Sequence, residues 1–235
     1  MKLWDHTWMQ VEKYLEHDDR VVVPLGSTEQ HAYLSVGTDA ILCEKGAVEA
    51  ARSEGVPVLP VLPFGLTPLF TAFPGTVSLR MATYVALLTD VLDALYAQGF
   101  RRIVLLSGHG GNAPAAQLGQ EWGAAHADAE VMFHGWFTDP RVWSVATGLA
   151  EAGHASWVEN FADVRIDGVG IPAGAKPLVP PAALRTASPE HARELLGDGS
   201  GGGAYQLEQH YADKVWATAV TLLREQLSSG WNARK

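Results

Sequence analysis

Three short apolar runs, separated by long segments of helical pattern, constrain the fold of this chain more than any other feature of its sequence. The runs are rich in valine, isoleucine and leucine, and each is short enough to be a buried strand. A fourth segment, Pro57–Gly65, alternates prolines with apolar residues, which predicts a strand at a sheet edge because proline cannot donate to a ladder. The three runs predict strands over Arg20–Gly26, Arg101–Gly108 and Ala129–Trp136.

Helical patterns occupy the intervals between these runs and the end of the chain. Asp39 and Asn112 stand where helix N-caps are expected, and Gly55 and Gly99 stand where helices would end. We predict helices over Asp39–Gly55, Met81–Phe100, Asn112–Asp128 and Ala204–Leu227. Such alternation predicts an α/β fold, with helices layered on both faces of a mostly parallel sheet. No internal repeat or domain boundary is evident, so residues 1–235 are expected to form a single α/β/α domain.

Composition narrows the classes of function. The 235 residues are 47% hydrophobic and 18% charged, as in ordinary globular proteins. The net charge is -9 and no run of lysine or arginine occurs, which argues against nucleic acid and anionic membranes as partners. Cys43 is the only cysteine, so an internal disulfide and a cysteine-ligated zinc site are excluded. Without a signal peptide or a long apolar span, we expect a soluble cytoplasmic protein.

Polar side chains follow two of the predicted strands directly. The stretch "PLGSTEQHAYLSVGTD" places Glu29, His31 and Asp39 after the first strand, and His109 follows the second in "SGHGGN". In parallel sheets, ligands bind beyond the carboxyl ends of the strands. Glu29 and His31 are two residues apart, so an extended backbone would turn both side chains to one side.

These residues, together with Glu159, have the chemistry of a site for zinc, manganese or iron. One ion could not easily use all five side chains, whereas two ions bridged by one carboxylate could. Three carboxylates, two divalent ions and one hydroxide would also sum to a neutral site. Each residue also has a structural interpretation. Asp39 could be a helix N-cap, His109 could sit in a glycine turn, and Glu159 could form a capping box with Ser156.

The segment "SGHGGN" combines this histidine with three glycines. Gly108, Gly110 and Gly111 let the backbone approach a ligand closely, and their N–H groups could bind an anion or a carbonyl. A phosphate-binding loop is the rival interpretation. It is weaker because the GxxxxGK[ST] pattern is absent.

At this point the sequence resembles the creatininase (creatinine amidohydrolase) family. That family carries motifs of the types "PLGSTEQHGPHLPLGTD", "FPGT", "NGHGGN" and "HAGxxET". The chain has their counterparts in the same order: "PLGSTEQHAYLSVGTD", "AFPGTVSL", "SGHGGN" and "GHASWVEN". The resemblance extends from Val21 to Asn160, and "LGDGSGGGAYQ" resembles a late family segment.

The resemblance implies a role for each site residue. Glu29 and His31 would each hold one metal ion, Asp39 would bridge the two, and His109 and Glu159 would complete the first and second sites. His154 would move a proton to the leaving nitrogen. Substrate contacts are expected from Gly110, Gly111, Asn112, Phe70 and Trp157.

Two departures from the family pattern bear on the site, one on a metal ligand and one on the substrate. Creatininase has a metal-binding glutamate where this chain has Gly111, which leaves that role to Glu159. The Glu-His pair that often precedes "FPGT" is replaced by Leu69 and Phe70, which predicts a more apolar pocket and disfavours creatinine as substrate. The late glycines Gly199–Gly203 could form either a mobile flap or a plain turn.

The predicted function is a dinuclear amidohydrolase. It would cleave the C–N bond of a cyclic amide, a formamide or a small peptide-like substrate with a metal-bridged hydroxide and two divalent ions, zinc or manganese, with iron as a further candidate. The alternatives are an esterase or lactonase on the same metals, an inactive metal-bound ligand-binding paralogue, and a nucleotide-binding α/β domain. Family likeness also suggests a homo-oligomer, often a hexamer.

Overall fold

A central parallel sheet organises the protein. The computed structural model describes residues 1–232. It contains β1 (Arg20–Leu25), β2 (Arg102–Ser107) and β3 (Glu130–Gly135), in the order β1-β2-β3. Leu25 lies opposite Ser107, and Ser107 lies opposite Gly135, so the three strands end level with one another. All three predicted strands are therefore present, and the loops that follow them leave from one edge.

The proline-containing segment Pro57–Gly65 runs beside β1 but is not a continuous strand. Val58 bridges to Val22 and Leu62 bridges to Leu25, both in the parallel sense. The prolines between and beside these positions supply no N–H group to the ladder. The predicted edge strand thus exists only as isolated bridges.

Eight α-helices connect and cover the strands within the described residues. Gly55 and Gly99 adopt left-handed conformations directly after the second and third helices, as predicted. The helices are α1 (Trp8–Leu15), α2 (Thr38–Glu54), α3 (Met81–Gln98), α4 (Pro114–Ala125), α5 (Pro140–Leu149), α6 (Pro181–Leu184), α7 (Pro189–Leu196) and α8 (Gln209–Ser229).

Two of the predicted N-caps are wrong. The N-cap of α2 is Gly37, and Asp39 lies inside the first turn. Asn112 ends a short 3-10 turn, Gly110–Asn112, and α4 starts only at Pro114. Both polar side chains therefore have partners other than a helix terminus.

Alternate strand residues feed two separate cores. Val22 and Val104 point into a cluster with α2, α5 and α8, while Val21 and Ile103 point into a cluster with α1, α3 and α4. Strand side chains alternate between faces, so one sheet can bury two helical layers. The α/β/α architecture predicted from the sequence is confirmed.

The late glycine segment is buried and paired. Gly203 and Ala204 form β5, which pairs with β4 (Ala175–Lys176) in an antiparallel ribbon. The N–H of Gly201 donates to the carbonyl of His154 at 2.8 Å. The segment is a buried turn packed against the histidine loop, which favours the plain-turn interpretation over the flap. In the described chain, no helix combines the length and the hydropathy that crossing a bilayer requires.

Candidate metal centre

The five predicted ligands converge at the level edge of the sheet. Glu29 and His31 follow β1, and His109 follows β2. Asp39 enters from the first turn of α2, where the positive end of the helix dipole favours a carboxylate. Glu159 comes from the irregular segment after α5. Residues far apart in the sequence thus meet because β1 and β2 end at the same level and α2 and the segment after α5 reach that edge.

Asp39 belongs to two groups of donor atoms. In the first group, His109 Nδ1 lies 3.3 Å from Glu29 Oε2 and 3.1 Å from Asp39 Oδ2. In the second, His31 Nε2 lies 3.2 Å from Asp39 Oδ1 and 3.9 Å from Glu159 Oε1. Within each group the donor atoms lie within 4.8 Å of one another, close enough to hold one ion. The two carboxylate oxygens of Asp39 face different groups.

Main-chain carbonyls orient both ligand histidines. His31 Nδ1 lies 3.2 Å from the carbonyl oxygen of Glu29, and His109 Nε2 lies 2.9 Å from that of Leu66. A carbonyl accepts the N–H of a neutral imidazole, so the other ring nitrogen presents its lone pair. Metal-ligating histidines are held in this way.

Two buried atoms at the centre have no hydrogen-bond partner among the described residues. They are His31 Nε2 and Asp39 Oδ2. In a neutral His31 the lone pair of Nε2 faces the lone pairs of the Asp39 carboxylate. Buried polar atoms are almost always satisfied, so this arrangement calls for positive charge between them. The donor set fits a divalent cation.

The pKa values of the cluster also show that it favours positive charge. Burial opposes a charge on His31, but the carboxylates of Asp39, Glu159 and Glu29 outweigh it and raise its pKa to about 10. His109 likewise has a pKa well above its ordinary value, because Asp39 and Glu29 outweigh its burial. The two imidazoles hold the pKa of Asp39 below its usual range despite its burial. Protons on imidazoles thus supply the positive charge that ions would supply.

Glu159 is oriented by strained backbone. The N–H of Ala155 donates to its Oε2 at 2.7 Å, which leaves Oε1 facing His31. Ala155 has a φ of 55° and Ala32 a φ of 51°, so an alanine in the left-handed region follows each of His154 and His31. Such conformations cost energy and concentrate at functional sites. The capping-box interpretation of Glu159 is therefore not supported.

His154 adjoins the two groups and forms a third with Glu29 and His31, whose donor atoms also lie within 4.8 Å of one another. Its Nδ1 lies 4.0 Å from Glu29 Oε1, and the ring of Phe70 stacks on it with centroids 4.7 Å apart. Burial and the charge of His31 lower its pKa to about 4. Near neutral pH the ring is thus uncharged and presents Nδ1 to the carboxylate.

A cavity of about 380 Å³ opens over the cluster. Its walls include Phe137, Trp143 and Val158, and within the described chain no lysine or arginine lines it. The sequence predicted an apolar pocket from Leu69 and Phe70, but neither residue lines this cavity, and its apolar walls come from other segments. Phe137 and Thr138 were not predicted as site residues, although they follow the carboxyl end of β3.

Four predicted substrate-binding residues, Phe70 among them, do not line this cavity. The Asn112 side chain is buried, donates to the carbonyl of Gly26 at 3.0 Å and accepts from the N–H of Leu66 at 3.2 Å. Trp157 lies in the core, with its indole N–H on the carbonyl of Glu151. Gly111 packs so tightly that a Cβ would lie 2.0 Å from the oxygen of Leu66. Gly110 lines the cavity, and Phe70 reaches it through His154.

Sequence comparisons find relatives that share part of the chain. A 3-dehydro-scyllo-inosose hydrolase of Thermotoga maritima is 31% identical over 44% of this chain and 34% of its own length. A creatinine amidohydrolase of Pseudomonas putida is 32% identical over 44% and 42%. A mycofactocin precursor peptide peptidase of Mycolicibacterium smegmatis is 35% identical over 40% and 41%. The chain therefore aligns with less than half the length of the curated relatives it matches.

Solved structures match over nearly the whole length. A creatinine amidohydrolase has a TM-score of 0.82 at 20% identity and covers 99% of this chain and 98% of its own. A manganese form of creatininase has a TM-score of 0.80 over 99% of each chain, and a variant described as a Zn-Zn type has 0.81 over 99% of this chain and 98% of its own, both at 20% identity. These matches establish the fold.

The family comparison covers the same extent. The creatininase family model, described as creatinine amidohydrolase, matches residues 4–225. That range contains both donor groups, His154 and the cavity. The chain belongs to the creatininase family.

Proposed function

We propose that the protein is a metal-dependent amidohydrolase that cleaves a C–N amide bond in a small substrate and uses two divalent ions, zinc or manganese. The observation that carries the proposal is Asp39, whose two oxygens each belong to a separate donor group. A carboxylate shared in this way suits a pair of ions. One group would comprise Glu29, Asp39 and His109, and the other His31, Asp39 and Glu159.

The relatives support the reaction class. Their names include a creatinine amidohydrolase, a peptidase and a hydrolase of an inosose, and the solved creatininases include manganese and zinc forms. Two of the three act on C–N bonds by name. The apolar walls favour a cyclic amide, formamide or small peptide-like substrate over creatinine.

Divalent ions would supply Lewis acidity and lower the pKa of bound water. The chain contributes the rest of the reaction. The N–H group of Gly110, which lines the cavity, stabilises negative charge on the substrate carbonyl oxygen, a donor worth on the order of 3 kcal/mol. His154, at Nδ1, accepts a proton as the nucleophile forms and gives it to the departing nitrogen. Phe137, Trp143 and Val158 exclude water from this step.

Metal analysis and a substrate screen test the proposal together. Elemental analysis of purified protein should give about two zinc or manganese ions per chain. A screen of cyclic amides, formamides and short peptides, each paired with its ester or lactone analogue, should find hydrolysis of amides. Hydrolysis of the esters alone would replace the proposal with an esterase, and metal binding without turnover of any pair would indicate a ligand-binding paralogue.

Assembly into a homo-oligomer and a cytoplasmic location stay predictions from family resemblance and composition. Sedimentation of the purified chain and fractionation of the source cells would test them.

A further inference from the structure

Gln30 lies between two of the candidate ligands and was assigned no role by the sequence. Its side chain is buried, and it reaches from the loop after β1 to the late glycine segment. The carboxamide Nε2 donates to the carbonyl of Gly199 at 3.0 Å, and Oε1 accepts from the N–H of Ala32 at 3.1 Å. A flipped amide would oppose like groups at both contacts, so this network fixes which atom is nitrogen.

The same residue supplies two partners to one nitrogen of His154. His154 Nε2 lies 3.0 Å from the main-chain oxygen of Gln30 and 2.9 Å from its side-chain Nε2. The first partner only accepts, and the second only donates. Nε2 therefore has a partner whether or not it carries a proton. The ring can therefore keep one orientation in either neutral tautomer, and in the tautomer whose Nδ1 is free to accept a proton, Nε2–H donates to the Gln30 carbonyl.

The remaining contacts of His154 complete a clamp. Phe70 stacks on the ring, and Gly201 holds the main chain behind it through its N–H. Gly199 is close enough to Gln30 that a Cβ there would lie 2.0 Å from Oε1. Its φ of 99° also requires glycine. The glycine segment thus supplies the surface on which Gln30 rests.

We propose that Gln30 is a positioning residue that holds His154 with Nδ1 toward Glu29 and the cavity throughout the proton transfer. The proposal rests on the proposed function for its catalytic meaning, while the ring orientation that it predicts can be measured independently. Turning the ring would replace Nε2 by a carbon and remove both contacts with Gln30. It would also move Nδ1 away from the carboxylate.

Gln30→Met tests this, because methionine keeps the length of the side chain and removes its amide. We expect kcat to fall about tenfold to 100-fold with KM and metal content unchanged, the usual size of an outer-shell effect. The matched control is Gln206→Met, the same chemical change at a glutamine whose Nε2 donates to the carbonyls of Ile171 and Pro172 at 3.2 Å. This control should keep wild-type kcat.

A double-mutant cycle separates positioning from general loosening of the fold. In a His154→Ala background, Gln30→Met should cause no further loss of kcat, because the residue that it acts through is absent. An equal loss in both backgrounds would overturn the proposal. So would a Gln30→Met enzyme with wild-type kcat.

Crystal structures of the wild type and of Gln30→Met give a readout that does not need activity. In the variant the His154 ring should turn or occupy two orientations, and an unchanged ring would overturn the proposal. If the wild type hydrolyses no amide, the proposed function fails, and the ring orientation still decides whether Gln30 positions His154.

Discussion

Charged residues lie at both ends of β1 and β2, but their pairing partners differ. Carboxylates pair with arginines at the amino end and with histidines at the carboxyl end. At the amino end, Arg20 forms a bidentate pair with Asp18, with contacts of 2.6 Å to 3.0 Å, and Arg102 also contacts Asp18 at 3.0 Å. At the carboxyl end, Glu29 and Asp39 face imidazoles, and within residues 1–232 no lysine or arginine pairs with them. At the amino end arginine side chains neutralise the carboxylates, whereas at the carboxyl end the carboxylates share imidazoles whose protons metal ions could displace.

The charged residues at the amino end hold parts of the fold together, whereas those at the carboxyl end form the candidate metal centre. Arg20 also donates to the carbonyl of Leu227 in α8, so the amino-end network joins a helix to the sheet. The arginine side chain lowers the pKa of Asp18 and is itself held in place. At the other end, the partnerless atoms His31 Nε2 and Asp39 Oδ2 are as buried as the core. Carboxylates paired with imidazoles, which can give up their protons to bind a metal ion, therefore mark the end suited to a cation.

Asp39→Asn would sharpen the comparison most. The amide keeps the size of the side chain but loses the charge shared by both donor groups. We expect activity on the amide found in the screen to fall by far more than the roughly 100-fold that follows loss of an outer-shell partner. Metal content should drop below one ion per chain, measured by elemental analysis. Retention of two ions would contradict the shared role of Asp39.

His154→Ala should separate catalysis from metal binding at the same end. Turnover should fall by about 10²- to 10⁴-fold, the usual contribution of a general acid–base group, with metal content unchanged. His191→Ala is the matched control, because His191 is exposed on α7 and its ring pairs with Glu194 of the same helix. If the His154 variant loses metal, its role is that of a ligand.

Metal binding should displace the protons that the carboxyl end now holds. His31, with a pKa of about 10, is protonated near neutral pH and must lose that proton to bind an ion. Apparent zinc affinity should therefore rise between about pH 6 and pH 8, by about tenfold per pH unit for each proton displaced. Calorimetry in buffers of different ionisation enthalpy measures the protons released. A buffer-independent enthalpy would contradict the expectation.

Asp18→Asn is the same chemical change made at the amino end. It should lower the free energy of unfolding by about 2 kcal/mol, since it leaves Arg20 and Arg102 partly buried with one carboxylate fewer. Metal content and kcat should stay at wild-type values. Urea denaturation and elemental analysis check the two parts, and a loss of metal would show that the ends are not independent.

Local patterns were sufficient to predict the three strands of the sheet, the glycines that end two helices and a set of candidate ligands, but not the helix N-caps. The apolar runs, Gly55, Gly99 and the chemistry of Glu29, His31, Asp39, His109 and Glu159 can all be read from residue type and spacing. Asn112 and Trp157 could not be placed in this way. Asn112 joins Gly26 to Leu66, and such contacts between distant segments have no local signal. The glycines of 199–203 suit a flap and a buried turn equally well until their neighbours are known.

The wide spacing of the site residues has a consequence for synthesis of the chain. A ribosome releases Glu29, His31 and Asp39 early, but both donor groups are complete only after Glu159 has emerged, and the clamp on His154 needs Gly199 and Gly201 as well. A nascent chain that ends before Glu159 would carry the acidic loop after β1 without the last candidate ligand of the second group. The proposed ions can therefore bind to both groups only after about two thirds of the chain has been synthesised.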